Sequence, residues 1–141
     1  MAVDTSAGFK FEYRYYGGRD VTIEKRYFKD DETLTKGDVL NLESGEVDLG
    51  ATDDSAFFGV ARETKVGVDS TTLIECYSDA DAVYSVYDPN ARVKGQNLDI
   101  AGATGAMTVA SSVNADLIVV GGEDADQRTL VMFTPAETWI G

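Results

Sequence analysis

Residues 36–61 read KGDVLNLESGEVDLGATDDSAFFGVA, and residues 94–121 read KGQNLDIAGATGAMTVASSVNADLIVVG. A chain that spells one pattern twice is constrained to build one supersecondary unit twice. Lys36, Gly37, Leu40 and Leu42 align with Lys94, Gly95, Leu98 and Ile100. After a short insertion, Gly45, Val47 and Leu49 align with Gly105, Met107 and Val109, and Phe57, Phe58 and Val60 with Leu117, Ile118 and Val120. Further on, Thr72-Leu73-Ile74 aligns with Thr129-Leu130-Val131. The slips between these blocks fall in polar turns, where insertions cost little. Two copies are too few for a solenoid, and the two halves could close a barrel or pack as two sheets.

Each copy reads as a β meander of four elements. A strand follows the Lys-Gly turn (VLNL; NLDI), a second follows a Gly break (VDLGA; AMTVA), a continuous apolar run comes next (AFFGVA; DLIVVG), and a strand closes the unit (TTLIECY; RTLVMF). Continuous apolar runs such as Leu117–Val120 predict strands covered on both faces. AVYSVYD (82–88) adds a strand between the copies, and Pro89-Asn90 turns the chain into the second one. Long helical periodicity is absent. The expectation is an all-β protein, a compact barrel or sandwich. An N-terminal segment of residues 1–32 would precede a β domain of residues 33–141, duplicated over about 33–77 and 91–134.

The N-terminal segment differs in kind. Of the 141 residues, the first 29 hold six basic and four acidic residues and half of the 14 aromatics; the remainder hold six basic and 21 acidic. The body is a polyanion, which opposes docking on nucleic acid or an anionic membrane. FKFEYRY (9–15) alternates strictly, placing Phe9, Phe11, Tyr13 and Tyr15 on one side and Lys10, Glu12 and Arg14 on the other, the pattern of a half-buried strand. Gly17-Gly18 signals a turn, and VTIEKRYF (21–28) is placed to return as the second strand of a hairpin. Such a hairpin has three readings: it covers its own core, it meets another protein, or it stacks single-stranded nucleic acid. Trp139, in the tail PAETWIG, plugs one end of the fold or stands out as an anchor.

Catalytic signals are thin. The chain has no histidine, which removes the commonest general base and the usual zinc ligand. Its one cysteine, Cys76, sits inside LIECY as a small hydrophobe, cannot form an intrachain disulfide, and suits a reducing compartment. Asp53-Asp54, Asp79 with Asp81, and Glu123-Asp124 with Asp126 fall in turns that favour Asp for local backbone bonding, and none fits an EF-hand loop. A glycosidase pair cannot be chosen among 25 acids. Gly121-Gly122 leads into acids instead of a helix, so it is no phosphate loop, and Ser111-Ser112 has no base partner. The expectation is a protein without catalysis, metal or cofactor. No apolar run reaches the ~18 residues of a membrane span, and no signal-peptide core opens the sequence.

In this order, KGDVLNL, SGEV, FFGVARET, TTLIECY and AVYSVYD, followed by NARVKGQNLDI, GAMTVA, NADLIVVG and TLVMF, the chain resembles the capsid decoration (cement) proteins of tailed bacteriophages. The resemblance covers about residues 33–134 and excludes the aromatic N-terminus. It implies a structural virion protein, made in the host cytoplasm, that binds the outer surface of the mature shell, often as a homotrimer, with the major capsid protein as partner. On that footing the residues expected to meet capsid or a neighbouring copy are Phe9, Phe11, Tyr13, Arg14, Tyr15, Tyr16, Arg19 and Trp139. A carbohydrate-binding or other ligand-binding β module, or a tail or head-joining component, is the alternative.

Overall fold

The computed structural model describes residues 6–17, 21–52, 54, 56–111, 114–121 and 127–138. Arg19 and Trp139, with Asp53 and the acids at 123–126, lie outside the described residues. Thirteen strands are present among the described residues: β1 (Lys10–Arg14), β2 (Ile23–Tyr27), β3 (Thr33–Leu34), β4 (Val39–Glu43), β5 (Glu46–Leu49), β6 (Phe57–Ala61), β7 (Lys65–Val66), β8 (Leu73–Tyr77), β9 (Ala82–Tyr87), β10 (Asn97–Ala101), β11 (Thr108–Ser111), β12 (Leu117–Gly121) and β13 (Arg128–Phe133). One turn of 3-10 helix, Pro135–Glu137, follows. The all-β reading is correct, and the sheets pack on one another without closing a barrel.

The duplication governs the topology. One large sheet runs β2-β8-β6-β4-β5, the other runs β1-β9-β13-β12-β10-β11, and β3 and β7 pair as a separate two-stranded ribbon. Removing β1 leaves the same order twice: an opening strand beside the closing strand, then the apolar run, then the hairpin. Every pairing within these two sheets is antiparallel. The repeat therefore starts earlier than residues 33 and 91. Its first strand is β2 in one copy and β9 in the other, so AVYSVYD belongs to the second unit instead of lying between the two. The Lys-Gly turns match in backbone as well as sequence: Gly37 has φ 96° and Gly95 φ 94°, a left-handed conformation that favours glycine. The hairpins match less simply. Leu42 pairs with Val47 and Ile100 with Val109, so the ladder counterpart of Val47 is Val109 and not Met107, and the second loop is longer than the alignment implied.

Each sheet curls toward its own start. Phe28 bridges Val47, and the Lys29 amide donates to the Val47 carbonyl oxygen at 2.9 Å. In the second copy Thr108 Oγ1 donates to the Tyr87 carbonyl oxygen at 3.2 Å. The curl of the first copy wraps one core: Phe28, Leu34, Leu40, Val47, Phe58, Ala61, Ile74 and Cys76. Its opposite face, through Val39, Phe57 and Val60, packs into the larger core of the second copy with Tyr84, Leu98, Ile100, Leu117, Val131 and Phe133. Phe57 and Phe133 stack at 5.3 Å across that junction. All five residues of β6 are buried, as a run covered on both faces requires. In β12 the same expectation fails, because Ile118 and Val120 are half-exposed and only Leu117 and Val119 are buried.

The two units are tied by polar bonds. Buried Asp38, in the first Lys-Gly turn, accepts from the Thr35 amide (2.8 Å), Thr104 Oγ1 (2.5 Å) and the Gly105 amide (2.9 Å), the last two in the second copy's hairpin loop. The Gly8 amide donates to the Met107 carbonyl oxygen and the Phe9 amide to the Gly37 carbonyl oxygen, each at 2.9 Å. The N-terminal chain thus runs through the seam.

The predicted N-terminal hairpin does not form. β1 pairs with β9 and β2 with β8, in different sheets. The physical reason lies on both sides. The duplication claims β2 as the opening strand of its unit, while β1 takes the free edge at β9 and packs Phe9 and Phe11 against the larger core. β1 ends at Arg14 and β2 begins at Ile23, a separation longer than the tight loops that set hairpin register.

Candidate interaction site: the tyrosine turn

The aromatic alternation of β1 reads from core to surface instead of along one face. A bulge at Glu12 shifts the register between Phe11, paired with Tyr84, and Tyr13, paired with Val83. Phe9 is 3% exposed and belongs to the large core. Phe11 stacks on Tyr77 at 5.2 Å and meets Tyr84 edge-on at 6.2 Å. Phe9 is a core residue, which corrects the expectation that it faces a partner; Phe11 is half-buried and packs against that core. Tyr13 and Arg14 are half-buried; Tyr15 is 46% and Tyr16 83% exposed.

The buried end is fixed by Arg128, itself only 5% exposed. Its guanidinium donates to Ser85 Oγ and the carbonyl oxygens of Ser85, Ser6 and Gly8, while Ser85 Oγ donates to Glu12 at 2.6 Å. The exposed end is fixed by the two acids of the stretch SDADA. Arg14 Nε donates to Asp81 Oδ1 at 2.9 Å and lies 3.5 Å from Asp79 Oδ1. The Tyr16 amide donates to Asp81 Oδ2 at 3.1 Å, the Tyr15 amide to the Asp81 carbonyl oxygen at 2.8 Å, and the Thr22 amide to Asp79 Oδ2 at 2.6 Å. Gly17 lies against the Arg14 guanidinium, where a Cβ would stand 2.9 Å from Cζ. Burial works against a charge on Asp81, yet the Arg14 bond, the Tyr16 amide and the Arg14 charge together hold its carboxyl below the usual range.

The outcome is a turn whose backbone is held at both ends and whose two tyrosines project. Tyr15 and Tyr16 meet edge to face, with centroids 4.9 Å apart and planes at 88°. Large aromatics held in one conformation lose little entropy when a partner covers them. The edge of β1 is poorly suited to accept another strand, because it carries Lys10, Arg14 and the Glu12 bulge, devices that blunt an edge.

Sequence reasoning missed Asp79 and Asp81 as members of this site and assigned them to solvated turns. Their i, i+2 spacing at the mouth of a strand was the available signal. Asp54 does follow the turn reading: Oδ2 accepts from the Ala51 amide at 2.8 Å. Elsewhere, a cavity of about 270 Å³ opens between the two hairpins, lined by Leu49, Gly50, Thr52, Ile100, Gly102 and Met107. No ionisable side chain lines it. Among the described residues no group of three or more acids or cysteines is arranged to hold a metal ion, and no helix is long and apolar enough to cross a membrane.

No protein-family model matches the chain, and no curated protein matches its sequence.

Proposed function

We propose that this protein is a structural virion protein that binds the outer surface of a phage capsid and reinforces the mature shell by bridging capsid subunits. The tyrosine turn carries the reading. A rigid base of Arg14, Asp79 and Asp81 presents two exposed aromatics at the margin of an acidic body, and buried tyrosine anchors supply much of the energy of protein interfaces. The order of strand segments, which resembles that of decoration proteins, supports the same assignment and the homotrimer that goes with it.

A ligand that recognises only the assembled lattice stabilises that lattice by mass action. Three tyrosine turns in one trimer engage several capsomers at once, so modest single contacts multiply through avidity. The remaining acidic surface keeps the decorated particle soluble.

Glycan binding is the weaker reading. Rings at 88° form a knob, whereas a sugar ring stacks on a flat aromatic platform. Co-sedimentation of the purified protein with mature and immature shells of the parent phage tests the proposal. Selective pelleting with mature shells, lost in Y16A, supports it; failure to pellet with either shell contradicts it.

A further inference from the structure

We propose that Asp48 and Asn41 form a proton-operated clasp between β4 and β5. The two residues are directly opposed in the antiparallel ladder, Asn41↔Asp48. Opposed side chains of such a pair have Cβ atoms about 4.5–5.5 Å apart. Asn41 Oδ1 and Asp48 Oδ1 are both buried, and neither has a hydrogen-bond partner. Two facing acceptors cannot bond each other, and each orphan costs free energy. One proton resolves both: a protonated Asp48 donates its O–H to the Asn41 carbonyl oxygen.

The surroundings favour that proton. The segment after β2 brings Asp30 and Lys29, β4 brings Glu43, and the loop after β5 brings Asp54; Glu32, whose Oε1 accepts from the Leu49 amide at 3.3 Å, adds a further carboxylate. Lys29 is the single cation among these groups and lies 3.6 Å from Glu43. Burial first, and then the neighbouring carboxylates, push the Asp48 carboxyl up to about 6. A carboxyl that holds its proton more tightly folded than unfolded gives stability that is complete below the unfolded pKa and is lost as pH rises through the folded value. Losing the proton sets a carboxylate against Asn41 Oδ1 beside the Phe28–Val47 bridge, the point where the first sheet curls back on itself. The clasp is therefore tight in mild acid and slack at neutral pH.

Carboxyl carbon NMR of the whole protein, read for Asp48 between pH 3.5 and 8, tests this together with thermal unfolding of the wild type and Asp48→Asn. The clasp requires an Asp48 midpoint near 6. It also requires an Asp48→Asn variant that matches the wild type near pH 3.5, below the unfolded value of 3.8, and unfolds roughly 3–6 °C higher at pH 7.5, because the amide donates at every pH. Asn41→Asp must raise the Asp48 midpoint further, since the facing carboxyls then share one proton. An Asp48 midpoint at or below the ordinary 3.8 overturns the proposal, showing that a water or a rotated Asn41 amide satisfies the pair. A stability gap that does not vary with pH, or an Asn41→Asp variant with an unmoved midpoint, overturns it as well.

Discussion

Arg14 donates its Nε–H to Asp81 Oδ1 at 2.9 Å, joining the end of the first strand to the entrance of the ninth across 67 positions of sequence. The other oxygen of Asp81 takes the Tyr16 amide, so one carboxylate orders both the cation and the backbone that carries the exposed ring. The tyrosine turn is thus held by the segment between β8 and β9 that joins the two repeat units, although its aromatics precede both.

Tyr16→Ala removes an 83% exposed ring and leaves the core untouched, so its unfolding midpoint stays close to the wild type. If the turn meets the shell as proposed, affinity for mature shells falls about 10- to 100-fold, the cost of an interface anchor. Asp81→Ala weakens binding by a similar factor through loss of order in the turn, and the restoring change is Asp81→Glu only if the longer acid still reaches Arg14. Binding isotherms on purified shells separate these cases.

Phe11→Ala acts on folding instead. The half-buried ring packs against Tyr77 and Tyr84, and its removal costs about 2 kcal/mol, less than for a fully buried phenylalanine. Urea unfolding should show the loss with little change in slope. A Phe11→Ala variant as stable as the wild type would place that ring outside the core.

Asp38→Ala removes three hydrogen bonds at once, two of them between the repeat units. Thr104 Oγ1 keeps the Thr33 carbonyl oxygen as an acceptor at 3.2 Å and the exposed loop can turn to water, so the expected loss is about 1–2 kcal/mol. Hydrogen exchange should show the Thr104–Gly105 loop losing protection before either sheet does.

Acid acts on the tyrosine turn from the side opposite to the Asp48 clasp. The folded pKa of Asp81 is depressed, so its contribution is complete above the unfolded value and is lost as pH falls through the folded one. On the proposed reading, shell binding holds from neutrality down to the ordinary carboxylate range and fails only below it. A pH titration of binding in which Asp81→Asn keeps the wild-type acid limb would contradict this assignment.

Cys76 is buried at the first core, and burial pushes its thiol up to about 12. The thiolate is the reactive form, so the native protein should resist a water-soluble thiol reagent at pH 8 and react stoichiometrically in denaturant.

The repeat was legible because turn glycines and apolar strands are local features: Gly37 and Gly95 share a backbone conformation that their Lys-Gly context announces. The partners of β1 were not legible, since pairing of Phe11 with Tyr84 is set by which sheet has a free edge, a property of the whole fold. The strict alternation of residues 9–15 misled for a related reason. A single bulge at Glu12 resets the faces, with Phe9 in the core, Phe11 half-buried against it, and Tyr15 and Tyr16 outside. Asp79 and Asp81 looked like turn acids because their partner, Arg14, is remote in sequence. For Arg19 and Trp139, named with the same group, the described residues give no placement.

The measurement that bears most directly on the central claim is cryo-electron microscopy of intact particles produced with this chain present. The account predicts density for the two-sheet body on the outside of the shell, as trimers at threefold or quasi-threefold positions, with Tyr15 and Tyr16 against the capsid subunits. Density confined to the tail or the head-tail junction, or a shell contact made by the acidic face while the tyrosine turn points to solvent, would contradict it.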